Sequence, residues 1–233
     1  MPRVGHVLAS LMAVLLLSGC NDTDTPDGAG SDPSSTSPSG TPEQESSPDT
    51  VEDPVSVTLY DADFSVSVAG DLTVVETLTL DVPVDDRHGI FRTFDTGTEV
   101  EDFTATLDGG RTPVADSVEG DDRVFRIGDP DRTLSVGEHV VRMEYGVADV
   151  LESERGTLVR LFDWQLIPSE WDLDIEASDL TVRLPAAASQ AECLVGEDES
   201  CDVGGVGTTT LVVTTAALAD HTPVRVRVLL PPG

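Results

Sequence analysis

From Val55 onwards, the chain consists of short runs in which apolar and polar residues alternate. A period of two places successive side chains on opposite faces, so each run reads as a β-strand with one buried face. Gly, Asp and Pro separate the runs about every ten residues, and no stretch of similar length between them has a helical period. The clearest runs are 64–68, 72–82, 103–107, 141–147, 180–184 and 224–230. This pattern predicts an all-β fold, namely an antiparallel β-sandwich, Ig-like or elaborated, over residues 55–233.

The N-terminus has the pattern of an exported lipoprotein. A basic start is followed by an apolar run from Val7 to Leu17, which is too short for a membrane span. This run leads into Leu17-Ser18-Gly19-Cys20, which resembles a bacterial lipobox. We predict a signal peptide over residues 1–19, cleavage between Gly19 and Cys20, and lipid attachment to the Cys20 thiol. Acylation of the new amine would supply the second chain that stable anchoring needs. The alternative is an ordinary secretory signal that happens to end in cysteine.

Residues 20–54 have the composition of a tether. Between Asn21 and Pro54 there are nine acidic residues, no basic ones and almost nothing apolar. Such a segment cannot form a core, so we predict a disordered, Asp/Ser/Pro/Thr-rich linker with a root-mean-square reach of roughly 30 Å. With the anchor at Cys20, this arrangement predicts a domain held off the extracytoplasmic face of the cell membrane.

The charge of the chain excludes one class of partner. There are 13 Arg and no Lys against 44 Asp and Glu, which gives a formal net charge of -31 at pH 7. Phosphate backbones would repel such a protein, so we predict no nucleic-acid partner. The predicted partners are the membrane, through the lipid anchor at Cys20, and an unknown envelope protein or wall component.

The other two cysteines form an even pair in a chain that is predicted to be exported. Export is the condition under which thiols usually become disulfides, so we predict a bond between Cys193 and Cys201. Closing so short a loop should add about 2 to 3 kcal/mol to the free energy of unfolding. The acidic residues 197–199 inside the loop should be exposed.

Glu76 breaks the alternation of its strand. It falls on the same face as Val74 and Leu78, where a carboxylate needs a partner. We predict an ion pair with Arg92 or, failing that, Arg87. In the same segment, we expect Ile90 and Phe91 to be buried and His88 to be partly exposed. Tyr145 ends a strand that follows a corner at residues 134–139, and we interpret it as structural.

The order of several short motifs resembles that of a known bacterial family. They are Val74-Val75-Glu76, Asp81, Arg87-His88-Gly89-Ile90-Phe91-Arg92, Leu161-Phe162-Asp163-Trp164-Gln165, Trp171 and Leu180-Thr181-Val182-Arg183-Leu184-Pro185. Over nearly all of its folded part, the chain is similar to the extracytoplasmic N-terminal domain of the predicted membrane proteins called domain of unknown function 2207. The resemblance implies an exported β-sandwich without an established activity. Family members typically continue into transmembrane helices, and we expect the lipid on Cys20 to replace them as the anchor.

The sequence contains little that indicates catalysis. His88, His139 and His221 have no spacing that would place two ligands on one strand face, and there is no nucleophile elbow, phosphate loop or dinucleotide fingerprint. We therefore predict no metal, no cofactor and no enzymatic activity. The Asp-rich turns at 85–86, 121–122, 129–131 and 172–174 are interpreted as solvated turns, with calcium binding as the alternative.

Three classes of function remain open on the sequence alone. The favoured one is a non-catalytic binding or interaction module. The second is a carbohydrate-binding lipoprotein in which Trp164 and Trp171, the only tryptophans, form a sugar-stacking platform rather than pack in the core. The third is a hydrolase with two carboxylates in a cleft. Exposure of the two tryptophans separates the first class from the second.

Overall fold

Sixteen β-strands carry the regular structure of residues 55–153 and 159–232, the part of the chain that this computed structural model describes. The strands are β1 (Ser56–Val66), β2 (Leu72–Val82), β3 (Ile90–Asp95), β4 (Val100–Leu107), β5 (Gly110–Arg111), β6 (Val114–Glu119), β7 (Asp122–Ile127), β8 (Gly137–Val147), β9 (Leu151–Ser153), β10 (Arg160–Ile167), β11 (Ser178–Arg183), β12 (Gln190–Val195), β13 (Glu199–Ser200), β14 (Val203–Gly204), β15 (Thr210–Thr215) and β16 (Val224–Leu230). The predicted all-β class is confirmed. The predicted signal peptide, Cys20 and the tether lie outside the described residues.

The strands form three sheets. The first has eight strands in the order β14-β15-β11-β1-β2-β8-β4-β5, the second has the order β13-β12-β16-β10-β9, and the third has the order β3-β7-β6. Almost all neighbours are antiparallel, as predicted. The exception is β1, which pairs in parallel with β11, with Tyr60 opposite Ser178. Because β2 occupies the other edge of β1 as a hairpin partner, β11 reaches the free edge through a long connection, which allows either direction.

One hydrophobic core joins the inward faces of the three sheets. Every second residue of β2 is buried, from Leu72 to Val82. The eight-stranded sheet contributes Phe64, the five-stranded sheet contributes Phe162 and the three-stranded sheet contributes Phe125 to the same buried cluster. The period of two that defines the strands in the sequence therefore also defines the core.

The three-stranded sheet lies between β2 and β8 in the sequence and carries the Arg87–Arg92 motif. Its first strand, β3, begins at Ile90 and pairs with β7, so that Phe91 lies opposite Arg126. All described residues belong to one compact unit. None of their elements is a helix with the length and apolar character needed to cross a bilayer.

Candidate functional site

Glu76 lies on a central strand of the eight-stranded sheet with its side chain in the core. Val74 and Leu78 face the same way, and Glu76 is 0% exposed. Tyr145 on β8 lies opposite Val74, and Tyr60 on β1 lies opposite Leu78. Both tyrosines are thus diagonal neighbours of Glu76 on one sheet face, where long side chains can meet.

Arg92 reaches this carboxylate from the three-stranded sheet. Its Nη2 donates to Glu76 Oε1 at 3.0 Å and its Nε donates to Oε2 at 3.1 Å. The Tyr145 hydroxyl donates to Glu76 Oε1 at 2.7 Å and accepts from Arg92 Nη2 at 2.9 Å. Arg92 Nη1 donates to the Thr93 carbonyl at 2.8 Å. The buried charges are therefore paired and hydrogen-bonded, which is the condition for tolerating them in a core.

Aromatic rings close the space around the ion pair. Phe94 lies 4.2 Å from Arg92 Cζ, measured to the ring centroid, and packs edge-on against Tyr145. Burial lowers the pKa of Arg92, but the charge of Glu76 outweighs this effect and the pKa is raised overall. Burial also raises the pKa of Tyr60 and of Tyr145. Both phenols therefore stay protonated at neutral pH.

The structure brings together Glu76 and Arg92, the first of the two pairings that the sequence indicates. Arg87, the second candidate, takes no part in the ion pair; it lies in the turn before β3, and its side chain lines a surface cavity. Arg92 lies at an inward position of β3, whereas Arg87 precedes the strand, so Arg92 is the arginine that reaches Glu76. The sequence also indicates a structural role for Tyr145, but not its hydrogen bonds, because its partners come from two other strands.

The expectation that Phe91 is buried is wrong. Phe91 is 49% exposed, whereas Ile90 is 1% exposed. Adjacent strand residues face opposite ways, and in β3 the inward positions belong to Ile90, Arg92 and Phe94. His88 is exposed, in line with the expectation.

The turn before β3 borders a surface cavity of about 630 Å³. Its lining includes five titratable side chains, namely Asp86, Arg87, His88, Arg126 and Asp172. Arg126 comes from β7 and Asp172 from the segment after β10. The sequence indicates Arg87 and His88 through their motif, and Asp86 and Asp172 only as members of the acidic turns at 85–86 and 172–174. It contains no signal for Arg126, since the pairing of β3 with β7 is not visible in the sequence.

Two glycines fix this turn. Gly89 and Gly128 have φ values of +138° and +135°, which disfavour any other residue. A Cβ atom on Gly89 would lie 1.9 Å from the Ile127 carbonyl oxygen, and one on Gly128 would lie 2.2 Å from the His88 carbonyl oxygen. The Leu134 amide also donates to the Arg87 carbonyl at 2.7 Å. The backbone that carries Arg87 and His88 is therefore tightly held.

Several titratable side chains of the domain, Arg111 and Arg132 among them, form no ion pair with a described side chain, and five such side chains line this cavity. None of the five side chains forms an ion pair or hydrogen bond with another described side chain. By contrast, six other arginines pair with carboxylates, namely Arg92, Arg123, Arg142, Arg183, Arg225 and Arg227. The cavity thus offers charges of both signs that no described side chain neutralises.

The two tryptophans have different environments. Trp171 is 3% exposed and packs edge-on against Tyr60 in the core. Trp164 is half-buried and lines two cavities of about 340 and 450 Å³. A platform made of both tryptophans is therefore excluded. Asp163 borders the same two cavities, and its two carboxylate oxygens accept hydrogen bonds from Arg225 and Arg227.

A second polar pair lies at His139, which is buried. Its Nδ1 lies 2.8 Å from Asp108 Oδ2, and its Nε2 lies 2.8 Å from the Ser135 carbonyl oxygen. Ser135 Oγ also lies 3.3 Å from Nε2. The doubly protonated ring can donate to both Asp108 and the Ser135 carbonyl. Burial lowers the pKa of His139, but the hydrogen bonds to Asp108 and Ser135 outweigh it, so the pKa is raised overall. The His139–Asp108 pair therefore links β8, which contains His139, to Asp108, the residue after β4.

No three His, Cys, Asp or Glu side chains among residues 55–153 and 159–232 are arranged to hold a metal ion. Some of the acidic turns use their carboxylates on the backbone. Asp129 accepts from the Asp131 amide at 3.0 Å, and Asp174 accepts from the Asp220 amide at 2.9 Å.

The predicted disulfide between Cys193 and Cys201 is present, with the Cα atoms 5.0 Å apart. It joins β12 to the residue after β13, and the Cys201 amide also donates to the Cys193 carbonyl at 3.1 Å. Residues 197–199 in the loop between them are exposed, as predicted.

Solved structures show distant likenesses to this fold. An M1 zinc metallopeptidase from Deinococcus radiodurans is 16% identical, with 74% of this chain and 42% of that chain covered and a TM-score of 0.41. A putative protease from Parabacteroides distasonis is 7% identical, with 75% and 40% covered and a TM-score of 0.46. Native yeast LTA4 hydrolase is 10% identical, with 75% and 29% covered and a TM-score of 0.48. The chain spans less than half of each of these proteins, and likeness at this level supports no inference about activity.

Comparison with curated protein sequences finds no significant match. Comparison with family models does, because the model described as "Predicted membrane protein (DUF2207) N-terminal domain" matches residues 56–230. The match confirms the resemblance carried by the sequence motifs. It includes both the buried Glu76–Arg92 pair and the cavity beside Arg87. The chain therefore belongs to the DUF2207 family of predicted membrane proteins and contains their N-terminal domain.

Proposed function

We propose that this protein is a lipid-anchored envelope protein whose β domain is a non-catalytic binding module on the extracytoplasmic face of the membrane. Membership in a family of predicted membrane proteins supports the association with a membrane. The lipobox at Cys20 supports the lipid anchor and the outward face.

The cavity beside the Arg87–Arg92 motif is the observation that carries the proposal. It has a volume of about 630 Å³, within the usual range for small-ligand sites. Its charged groups have no partners among the described side chains, and Phe91 is exposed at its wall. Gly89 and Gly128 hold the backbone in place, so the site would lose little conformational entropy when it binds.

We propose that the domain is not catalytic because of where the groups that could perform catalysis lie. Glu76, Arg92 and Tyr145 converge as in many active sites, but they are 0%, 2% and 1% exposed, so almost none of their surface is available to a substrate. In the groove beside Trp164, both oxygens of Asp163 are already engaged by arginines. A hydrolase would need two carboxylates that are free to act as acid and base.

Asp86 and Asp172 have no partner among the described side chains. This part of the proposal is therefore tested by assaying the wild type against Asp86→Asn with Asp172→Asn, and we expect no hydrolytic activity in either.

A second candidate function is carbohydrate binding at Trp164. This side chain is half-buried between two cavities, and one of them also contains Gln165 and Glu170. An aromatic face flanked by polar side chains is a common arrangement for stacking on a sugar ring. If this candidate is correct, cell-wall polysaccharide should quench tryptophan fluorescence in the wild type and less so in Trp164→Phe, whereas Phe91→Ser should bind as the wild type does.

Photo-crosslinking in the native cell tests the main proposal. A photoreactive phenylalanine analogue replaces Phe91 in one strain and Val212 in another. Val212 is a matched position because it is also a half-exposed strand residue, at 45%, but it lies on β15 away from the cavity. We expect a discrete adduct, detected by mass spectrometry of the purified protein, only at position 91. Equal labelling at both positions, or none at position 91, would contradict the proposal.

A further inference from the structure

The chemistry of the cavity lining specifies a class of ligand. Arg87 and Arg126 present two guanidinium groups, and Asp86 and Asp172 present two carboxylates, in one concave surface. Since these groups form no ion pairs with described side chains, both signs are available to a ligand. Guanidinium groups favour a carboxylate, and carboxylates favour an ammonium group.

The apolar part of the lining adds a third requirement. Phe91 projects from β3 opposite Arg126 and is 49% exposed. Val84 and Pro130 also border the cavity. An exposed aromatic ring can pack against an apolar side chain of a ligand. The carboxylate of the same ligand can then pair with the cation beside the ring.

The net charge of the protein decides between ligands of different charge. With a formal net charge of -31, the protein repels an anion before it reaches the two arginines. A simple cation would be attracted everywhere on the surface, and the arginines would exclude it from this cavity in particular. A ligand with both charges and no net charge avoids the repulsion and uses both arginines and both aspartates of the lining.

We propose that this cavity binds a short zwitterionic peptide, with its carboxylate on Arg87 and Arg126, its ammonium group on Asp86 and Asp172, and an apolar side chain on Phe91. The proposal rests on the binding function above and names the ligand class for that same site. A volume of about 630 Å³ accommodates a di- or tripeptide.

Calorimetry with the full-length protein in detergent tests this assignment. The probes are the dipeptide Ala-Phe, its N-acetyl derivative, which lacks the ammonium group, and its C-terminal amide, which lacks the carboxylate. We expect saturable binding of Ala-Phe and at least about tenfold weaker binding of both derivatives, because each loses a charge-assisted contact.

Paired variants then locate the two ends of the ligand. The double variant Arg87→Ala with Arg126→Ala should bind Ala-Phe at least about tenfold more weakly than the wild type does. It should bind Ala-Phe and its amide equally. Asp86→Asn combined with Asp172→Asn should remove the preference for Ala-Phe over its N-acetyl form. Arg142→Ala is the control, because this arginine pairs with Glu144 outside the cavity and should bind as the wild type does. Melting temperatures confirm that each variant is folded.

Three results would overturn the peptide assignment. They are the absence of saturable Ala-Phe binding up to about 10 mM, equal binding of all three probes, and binding that the cavity variants do not change. Any of them leaves the crosslinking test at Phe91 intact. An adduct there without peptide binding would keep the binding module and reject this ligand class.

Discussion

Single residues of this domain show how a buried charge is made tolerable. Glu76 stands in the core because Arg92 and Tyr145 together occupy its carboxylate. Its position follows from a period-two pattern, and its need for a partner follows from electrostatics, so both can be predicted from the sequence. The placement of Tyr145 and Tyr60 beside it cannot be predicted, because only the register of β1, β2 and β8 makes these tyrosines neighbours of Glu76.

Arg92→Ala is predicted to destabilise the domain by about 3 to 5 kcal/mol, because it leaves the Glu76 carboxylate buried without its cation. Urea denaturation measures this loss. Arg142→Ala is a matched control; its ion pair with Glu144 is about half exposed, so we expect a change of less than about 1 kcal/mol. His88→Ala should also have little effect, since His88 is exposed.

A double variant separates the buried charge from lost packing. Glu76→Leu with Arg92→Met removes both charges and keeps most of the volume, so it should recover much of the stability that Arg92→Ala loses. Equal instability of the single and double variants would contradict an electrostatic origin.

The hydrogen-bonded pair of His139 and Asp108 predicts that the stability of the domain depends on pH. The pKa of His139 is raised above its ordinary value of 6.5, so its contribution to stability is complete below that pH and decreases as the pH rises through the folded-state pKa. For Asp108, burial raises the pKa, but hydrogen bonds from Val140 and His139 outweigh it and lower it below 3.8. Its contribution is present above that value and is lost as the pH falls through the lowered pKa.

The stabilising effect of the pair should therefore be greatest between pH 3.8 and 6.5. The measurement is the difference in unfolding free energy between the wild type and His139→Gln across that range and up to pH 9. A difference that grows with rising pH above 6.5 would contradict the assignment.

At the scale of elements, the sequence predicts strands better than their pairing. The runs at 72–82 and 141–147 match β2 and β8 because alternation is a local property of the chain. The parallel pairing of β1 with β11 and the separate β3-β7-β6 sheet depend on contacts between distant segments, for which one sequence contains no local signal. Phe91 shows the same limit. The strand at Ile90–Asp95 is not among the runs that the sequence predicts, and without it both Ile90 and Phe91 are expected to be buried. Adjacent residues of a strand face opposite ways, so only one of the two can lie in the core.

Gly89→Ala is predicted to destabilise the β3–β7 junction by about 3 kcal/mol or more, because a Cβ would lie 1.9 Å from the Ile127 carbonyl oxygen, where only backbone could move. Gly137→Ala is the matched control. Its φ of +125° is similarly unfavourable, but no atom lies within 4 Å of its Cβ position. The control should cost only about 1 kcal/mol of backbone strain. Thermal unfolding of the two variants compares them, and an equal loss would show that the close approach is not what requires glycine.

At the scale of the whole molecule, charge and anchoring act in opposite directions. The formal net charge of -31 repels anionic lipid headgroups, so the protein has no electrostatic reason to stay at a membrane. Arg87 and Arg126 do not change this balance, because Asp86 and Asp172 share their cavity. Membrane association therefore has to come from a covalent or apolar anchor, and the sequence offers the lipobox at Cys20.

Cys20→Ala is predicted to abolish lipid attachment and leave either an uncleaved precursor or a form released from membranes. Two fatty chains on a mature N-terminus bind a bilayer stably, and among residues 55–153 and 159–232 no helix is long and apolar enough to cross a bilayer in their place. Metabolic labelling with a radioactive fatty acid, together with detergent phase partitioning, measures both effects. Cys193→Ala is the matched control, because it also removes one cysteine but should keep the label and the partitioning. If the wild type and Cys20→Ala partition equally, the protein is held at the membrane by another segment, and the lipobox is an ordinary signal that ends in cysteine.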